Sequence, residues 1–288
     1  MKLATFVASG TRRVGLLAED GLIDLSIARP GLPRDMIGLI AAWPEAEPQL
    51  RAIAGDAPHL PLRQARLVAP IPRPGKILAI GLNYADHIAE SGQARPERQI
   101  WFSKAPSAVN GPFDPIVIPR VSDEVDYEAE LVAVIGRRCR HVSRSDAPRA
   151  IFGFAAGNDV SVRDWQFSTS QWILGKSFDT HAPFGPWIVT ADEIGDPHTL
   201  GLRAFVNGEI RQNSNTKNMV FDVFDQVAHL SQVMTLEPGD TIFTGTPGGV
   251  GMAFRPPRYL KAGDRVRVEI DRIGALEAQI MAESADPG

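Results

Sequence analysis

The chain has 288 residues, 44% of them hydrophobic, with 30 basic against 34 acidic side chains and a net charge of -4. That is enough for one large core, or a main domain with a small appendage, and it excludes intrinsic disorder. No run of like charge is long enough to track a nucleic-acid backbone, and no apolar stretch approaches a membrane span.

The opening "MKLATFVASGTRRVG" meets Gly10, Arg12 and Arg13 too early for a secretory signal. The lone cysteine, Cys139, allows no internal disulfide and no cysteine-based zinc site, and fits a reducing, cytoplasmic setting. Cys139 itself reads as apolar filler or a surface thiol.

Residues 1 to 26 read as short strands, "KLATFVA", "VGLLAED" and "LIDLS". Prolines from Pro30 to Pro74 then break up any long element. This pattern predicts a small β-rich N-terminal domain over 1–71 and a second domain over 72–288. The second is strand-rich, with "KILAIG", "IWFSK", "EAELVAVIG", "GFAAGND", "PWIVT", "DTIFTG" and "RVRVEI" separated by turn residues. In "RAFVNGEIRQ", Asn207-Gly208 fits the type I′ turn of a hairpin. Helices are expected at about 84–91, 161–169 and 222–235, the last with Phe224, Val227, Leu230, Val233 and Met234 on one side. The fold class is α+β, mainly β.

Five polar segments stand out. In "VDYEAELVAVIG", strand periodicity puts Asp126, Glu128 and Glu130 on one face of a segment that runs on with apolar residues on both faces. Buried carboxylates need a partner or a metal, although an isolated E-x-E is more often a solvated edge. In "GNDVSVRDWQ", a helix would align Asp159, Arg163 and Gln166 at i, i+4 and i+7; alone, that is an exposed stripe. Joined to Glu128 and Glu130, Asp159 completes three hard oxygen donors suited to Mg²⁺ or Mn²⁺, leaving about three octahedral positions for water and substrate.

In "GLNYADHIAESG", His87 and Glu90 at i and i+3 let a carboxylate orient an imidazole, which beside a metal makes a base and elsewhere is surface decoration. In "LGKSFDTHAPFGPW", Lys176 either snorkels or neutralises an oxyanion. The loop in "DTIFTGTPGGVG" lacks the P-loop lysine and a following helix, which excludes a nucleotide fingerprint and leaves Thr246 and the backbone free to approach an anion.

In this combination and order, the segments "GLNYADHIAESG", "DYEAEL", "GNDVSVRDWQ", "GKSFDT" and "GDTIFTGTPGGVG" resemble the fumarylacetoacetate hydrolase family over about residues 72–270. The resemblance implies a mixed β-roll, usually a homodimer. It also implies Mg²⁺ or Mn²⁺ on Glu128, Glu130 and Asp159, with Lys176 beside the metal and a lid carrying His87 and Glu90. Arg163, Gln166 and Thr246 would hold the substrate. Within the family, "NYADHIAESG", "KSFDTHAPFGPWIVT" and "PPRYLKAGD" look most like hydrolases of 2,4-diketo-3-deoxy sugar acids or acylpyruvates. The expected reaction is C–C hydrolysis of a 2,4-dioxo acid to release pyruvate, with His87 activating water. The alternatives are oxaloacetate decarboxylation or isomerisation of a 2-hydroxyhepta-2,4-diene-1,7-dioate.

Overall fold

The strand Lys2–Ala8 buries Leu3, Ala4, Thr5 and Phe6 in succession because it lies inside a sheet. It pairs with Thr11–Ala18 and Arg66–Val68, and also with Ala182–Thr190, far along the chain. The structure, a computed structural model, describes residues 1–284.

Its largest sheet has 12 strands. From one edge the order is Leu60–Pro61, Gly21–Asp24, Thr11–Ala18, Lys2–Ala8, Ala182–Thr190, Ile151–Asn158, Ala129–Ile135, Thr241–Phe243, Ile77–Gly81 and Ile100–Lys104. Hydrogen bonding therefore crosses residue 72, and that boundary marks a change along the sequence rather than a break in the sheet. A second sheet, of five strands, runs Glu209–Asn215, Gly201–Val206, Arg265–Ile270, Gly274–Ala282 and Ile116–Ile118. The expected hairpin at Asn207-Gly208 forms there, with φ of 54° and 80°.

Packing explains why "AELVAVI" is apolar on both sides. Leu131, Ala133 and Ile135 meet Leu202, Val268, Leu276 and Ile280 of the second sheet, together with Val227 and Leu230 of the helix Val223–Val233. Val132 and Val134 face the other core, which holds Ile23, Leu39, Ile40 and Phe184. A strand with a core on each face has no position for an unpartnered polar side chain, so the acids at its start must find partners at its end. The helix Val223–Val233 begins with a capping box of Asp222 and Asp225, which satisfies its first amides.

The proline-rich stretch contains two short helices, Met36–Ala41 and Trp43–Arg51. Pro44 sits in the first turn of the second, where its missing N–H costs nothing, and Pro48 lies inside it. The predicted helix over 161–169 is only Arg163–Gln166; Ser161–Val162 is instead a strand, paired with Val125–Asp126. Asp159 therefore shares no helix stripe with Arg163 and Gln166. Finally, Asp126, Glu128 and Glu130 do not lie on one continuous strand, because pairing switches between Val125–Asp126 and Ala129–Ile135. Among the described residues, no helix is long and apolar enough to cross a membrane.

Candidate active site

The carboxylates meet where two central strands end side by side. Antiparallel register sets Ala129 opposite Asn158 and Glu130 opposite Gly157. The Asp159 amide donates to Glu128 O at 2.9 Å, and the Asn158 side-chain oxygen accepts from the Glu128 amide at 2.9 Å. Glu128, Glu130 and Asp159 are thus gathered at one point, all buried, each with a carboxylate oxygen within 4.8 Å of the others'.

Two lysines and an arginine close around them. Lys176 Nζ lies 2.8 Å from both Glu128 Oε2 and Asp159 Oδ2. Its helix, Ile173–Lys176, can approach because Gly175 lacks a side chain: a Cβ there would fall 2.3 Å from Gln166 N. Lys104, at the end of the strand Ile100–Lys104, donates to Asp159 Oδ1 at 2.5 Å and to Val160 O at 3.1 Å. Arg163 places Nη1 2.7 Å from Glu128 Oε1 and 2.9 Å from Gln166 Oε1. The Gly245 amide donates to Glu130 Oε2 at 2.8 Å.

The charges are unevenly matched. Four buried acids, Asp126, Glu128, Glu130 and Asp159, face three buried bases, Lys104, Arg163 and Lys176, so that with every group ionised one negative charge would be in excess. Burial pushes the Glu128 carboxyl up, but Lys176 and Arg163 outweigh it and hold it down at about 2. Glu130 goes the other way: burial, then repulsion from Asp159 and Glu128, raises it well above the usual carboxylate range. Burial lowers Lys104 against the pull of Asp159; at Lys176, Asp159 and Glu128 overcome burial and raise it. Three clustered oxygen donors short of positive charge fit a hard divalent cation, and the set has no sulfur or imidazole to favour zinc.

A cavity of about 60 Å³ opens over the carboxylates, lined among others by His87, Phe102, Glu128, Glu130, Arg163, Gln166, Trp172, Lys176, Thr246 and Met252. His87 stands on the helix Ala85–Ser91 with Nδ1 2.8 Å from Glu90 Oε1. Glu90 Oε2 accepts from the Gly249 amide at 2.7 Å, which docks that helix on the glycine-rich loop. With Nδ1 engaged, Nε2 is the ring nitrogen left for chemistry.

Of the nine candidate site residues, His87, Glu128, Glu130, Arg163, Gln166, Lys176 and Thr246 line this cavity, Asp159 is gathered with Glu128 and Glu130, and Glu90 is paired with His87. Their individual contacts differ from expectation at two of them. Arg163 is held by Asp126, Glu128 and Gln166, and the Thr246 hydroxyl donates to Ala129 O at 3.0 Å while accepting from Gln212 Nε2 at 2.8 Å. Sequence reasoning missed Lys104 altogether. Its one signal was a lysine closing the apolar run "IWFSK", which reads as easily as a snorkelling strand end.

Fold and site together define an enzyme of the fumarylacetoacetate hydrolase family. Residues 76–281 match the family model described as fumarylacetoacetate (FAA) hydrolase C-terminal, and the chain belongs to that family. It is 45% identical to the mitochondrial oxaloacetate tautomerase Fahd2a of Rattus norvegicus over 258 residues, covering 89% of this chain and 82% of the relative. It is 43% identical to the fumarylacetoacetate hydrolase domain-containing protein 2 homolog of Dictyostelium discoideum, covering 96% of each. Among solved structures, it is similar to maleylpyruvate hydrolase from Sphingobium sp. SYK-6 in complex with manganese(II) ion and pyruvate, at a TM-score of 0.83 and 36% identity, covering 99% of this chain and 100% of that one. It is also similar to a putative HpcE protein from Mycobacterium smegmatis, at a TM-score of 0.91 and 36% identity with the same coverage.

Proposed function

We propose that this chain is a divalent-metal-dependent enzyme of enolisable 2-oxo acids whose principal reaction is keto–enol tautomerisation of an oxaloacetate-class diacid. The observation that carries the reading is His87, oriented by Glu90, at the wall of a small cavity also lined by Glu128, Glu130 and Lys176, with Asp159 clustered against the two glutamates. Relatives 43–45% identical that are named oxaloacetate tautomerases support the choice of substrate.

Glu128, Glu130 and Asp159 would hold Mg²⁺ or Mn²⁺, which when bound supplies Lewis-acid polarisation of a 2-oxo group. His87 Nε2 takes a proton from the carbon next to that group and returns one to oxygen, or the reverse, so the net change is the position of one hydrogen. Glu90 fixes the tautomer in which Nε2 is the base. Lys176 places positive charge where the oxygen gains negative charge. Phe102, Trp172 and Met252 wall off bulk water from the reacting carbon.

A second reading, C–C hydrolysis of a 2,4-dioxo acid to release pyruvate, rests on the same dyad with His87 deprotonating water, and on the likeness to maleylpyruvate hydrolase. The test is one panel on metal-stripped protein restored with Mg²⁺ or Mn²⁺: decay of enol-oxaloacetate, and pyruvate release from oxaloacetate, acylpyruvates and dienedioates. Faster enol decay than pyruvate release supports tautomerisation. Pyruvate from acylpyruvates as the dominant activity makes hydrolysis the function, and full activity without added cation sinks both.

A further inference from the structure

Asp126 sits in the same D-x-E-x-E run as two of the clustered acids, is fully buried, and lies outside the cluster of three. Both its oxygens are used. Oδ2 lies 2.9 Å from Arg163 Nε and 2.8 Å from Nη2, and accepts from the Met252 amide at 3.0 Å. Oδ1 accepts from the Gly251 amide at 2.7 Å and from the Tyr127 amide at 2.9 Å. Pairing of Val125–Asp126 with Ser161–Val162 brings the acid beside the start of the helix Arg163–Gln166.

The guanidinium is a bridge. One edge rests on Asp126, and Nη1 reaches Glu128 Oε1 and Gln166 Oε1. A buried cation one side chain away from a cation site opposes binding of the ion unless its charge is balanced, because the interior screens poorly.

We propose that Asp126 is a positioning residue that acts through Arg163: it neutralises the guanidinium, so that Arg163 can orient Glu128 without repelling a divalent cation held by Glu128, Glu130 and Asp159. Through the Gly251 and Met252 amides the same carboxylate fixes the loop that carries Met252 into the cavity wall. The first acid of the run is therefore present for the arginine, which is why three carboxylates precede a buried strand. The inference rests on the reading that the cluster binds a cation.

The test is calorimetric titration of Mn²⁺ into metal-stripped protein, with thermal unfolding recorded alongside. Asp126→Asn keeps the shape and removes the charge, and it is expected to weaken Mn²⁺ binding about tenfold, as loss of partners behind metal ligands does. In the Arg163→Gln background the same change has no guanidinium to act through, so R163Q and D126N/R163Q are expected to bind Mn²⁺ within about twofold of each other. The comparison of those two holds even where D126N alone fails to fold. D126N binding as tightly as wild type, or a tenfold gap between R163Q and the double variant, overturns the inference. Wild-type protein that takes up no Mn²⁺ removes the cation site itself, and with it the reading beneath.

Discussion

Lys104 Nζ stands 2.5 Å from Asp159 Oδ1 with both side chains wholly buried, and Lys176 Nζ stands 2.8 Å from the other oxygen. Asp159 is therefore gripped by two ammonium groups from elements far apart in the chain. Removing one leaves a buried carboxylate short of a partner. Lys104→Met is expected to destabilise the metal-free protein by about 3 kcal/mol, the lower end of the cost of breaking a buried ion pair because Lys176 remains. Saturating Mn²⁺ should recover part of that loss by supplying charge to the same oxygens. Thermal unfolding of K104M with and without Mn²⁺ measures both; a loss unchanged by the cation would separate Lys104 from the site.

Proton transfer through His87 gives a second prediction. His87→Ala should slow enol-oxaloacetate decay by roughly a hundredfold or more, the usual contribution of a placed acid–base group, while Mn²⁺ affinity stays near wild type. Pyruvate release from acylpyruvates, which requires an activated water, should fall with it, whereas decarboxylation of oxaloacetate needs no such water and should survive. Initial rates on the three substrates decide, and an unchanged tautomerisation rate would take His87 out of the mechanism.

Gly175 tests how Lys176 is delivered. Its Cβ position lies 2.3 Å from Gln166 N and 2.5 Å from Gln166 Cα, backbone atoms that cannot swing aside. Gly175→Ala should cost about 1–3 kcal/mol through overpacking and lower turnover by displacing Lys176. Denaturant unfolding and kcat report the two effects; a variant with wild-type stability would show that the helices Arg163–Gln166 and Ile173–Lys176 can part freely.

Acid sensitivity should come in part from His181, which is fully buried with Nε2 2.8 Å from Val117 O. Burial, with a smaller contribution from Lys104, depresses its pKa to about 4 against the hydrogen bond to Val117. Because the unfolded imidazole binds a proton more readily, stability is complete above the ordinary histidine pKa of about 6.5 and is lost as pH falls towards about 4. The loss is on the order of 3 kcal/mol across that window. His181→Gln should flatten the pH dependence of the melting temperature between those limits, and an equally steep profile in the variant would assign the acid loss to other groups.

The sequence by itself determined the mainly β class, the hairpin at Asn207-Gly208, the helix near 222–235, and the polar motifs that supply the cavity and the carboxylate cluster beneath it. These follow from short-range rules: period-two alternation, turn chemistry, i to i+3 neighbours on a helix, and motif combinations whose residue types suit one chemistry. It did not determine which acid faces which base. Asp126, Glu128 and Glu130 look equivalent in a two-residue period, yet a change of strand partner between Asp126 and Ala129 sets the first against Arg163 and gathers the others with Asp159. Lys104 meets Asp159 across 55 residues of chain, a pairing set by the burial of two strand ends in one place. Tertiary structure decided these because buried charges are matched in space, where desolvation makes an unpaired one costly.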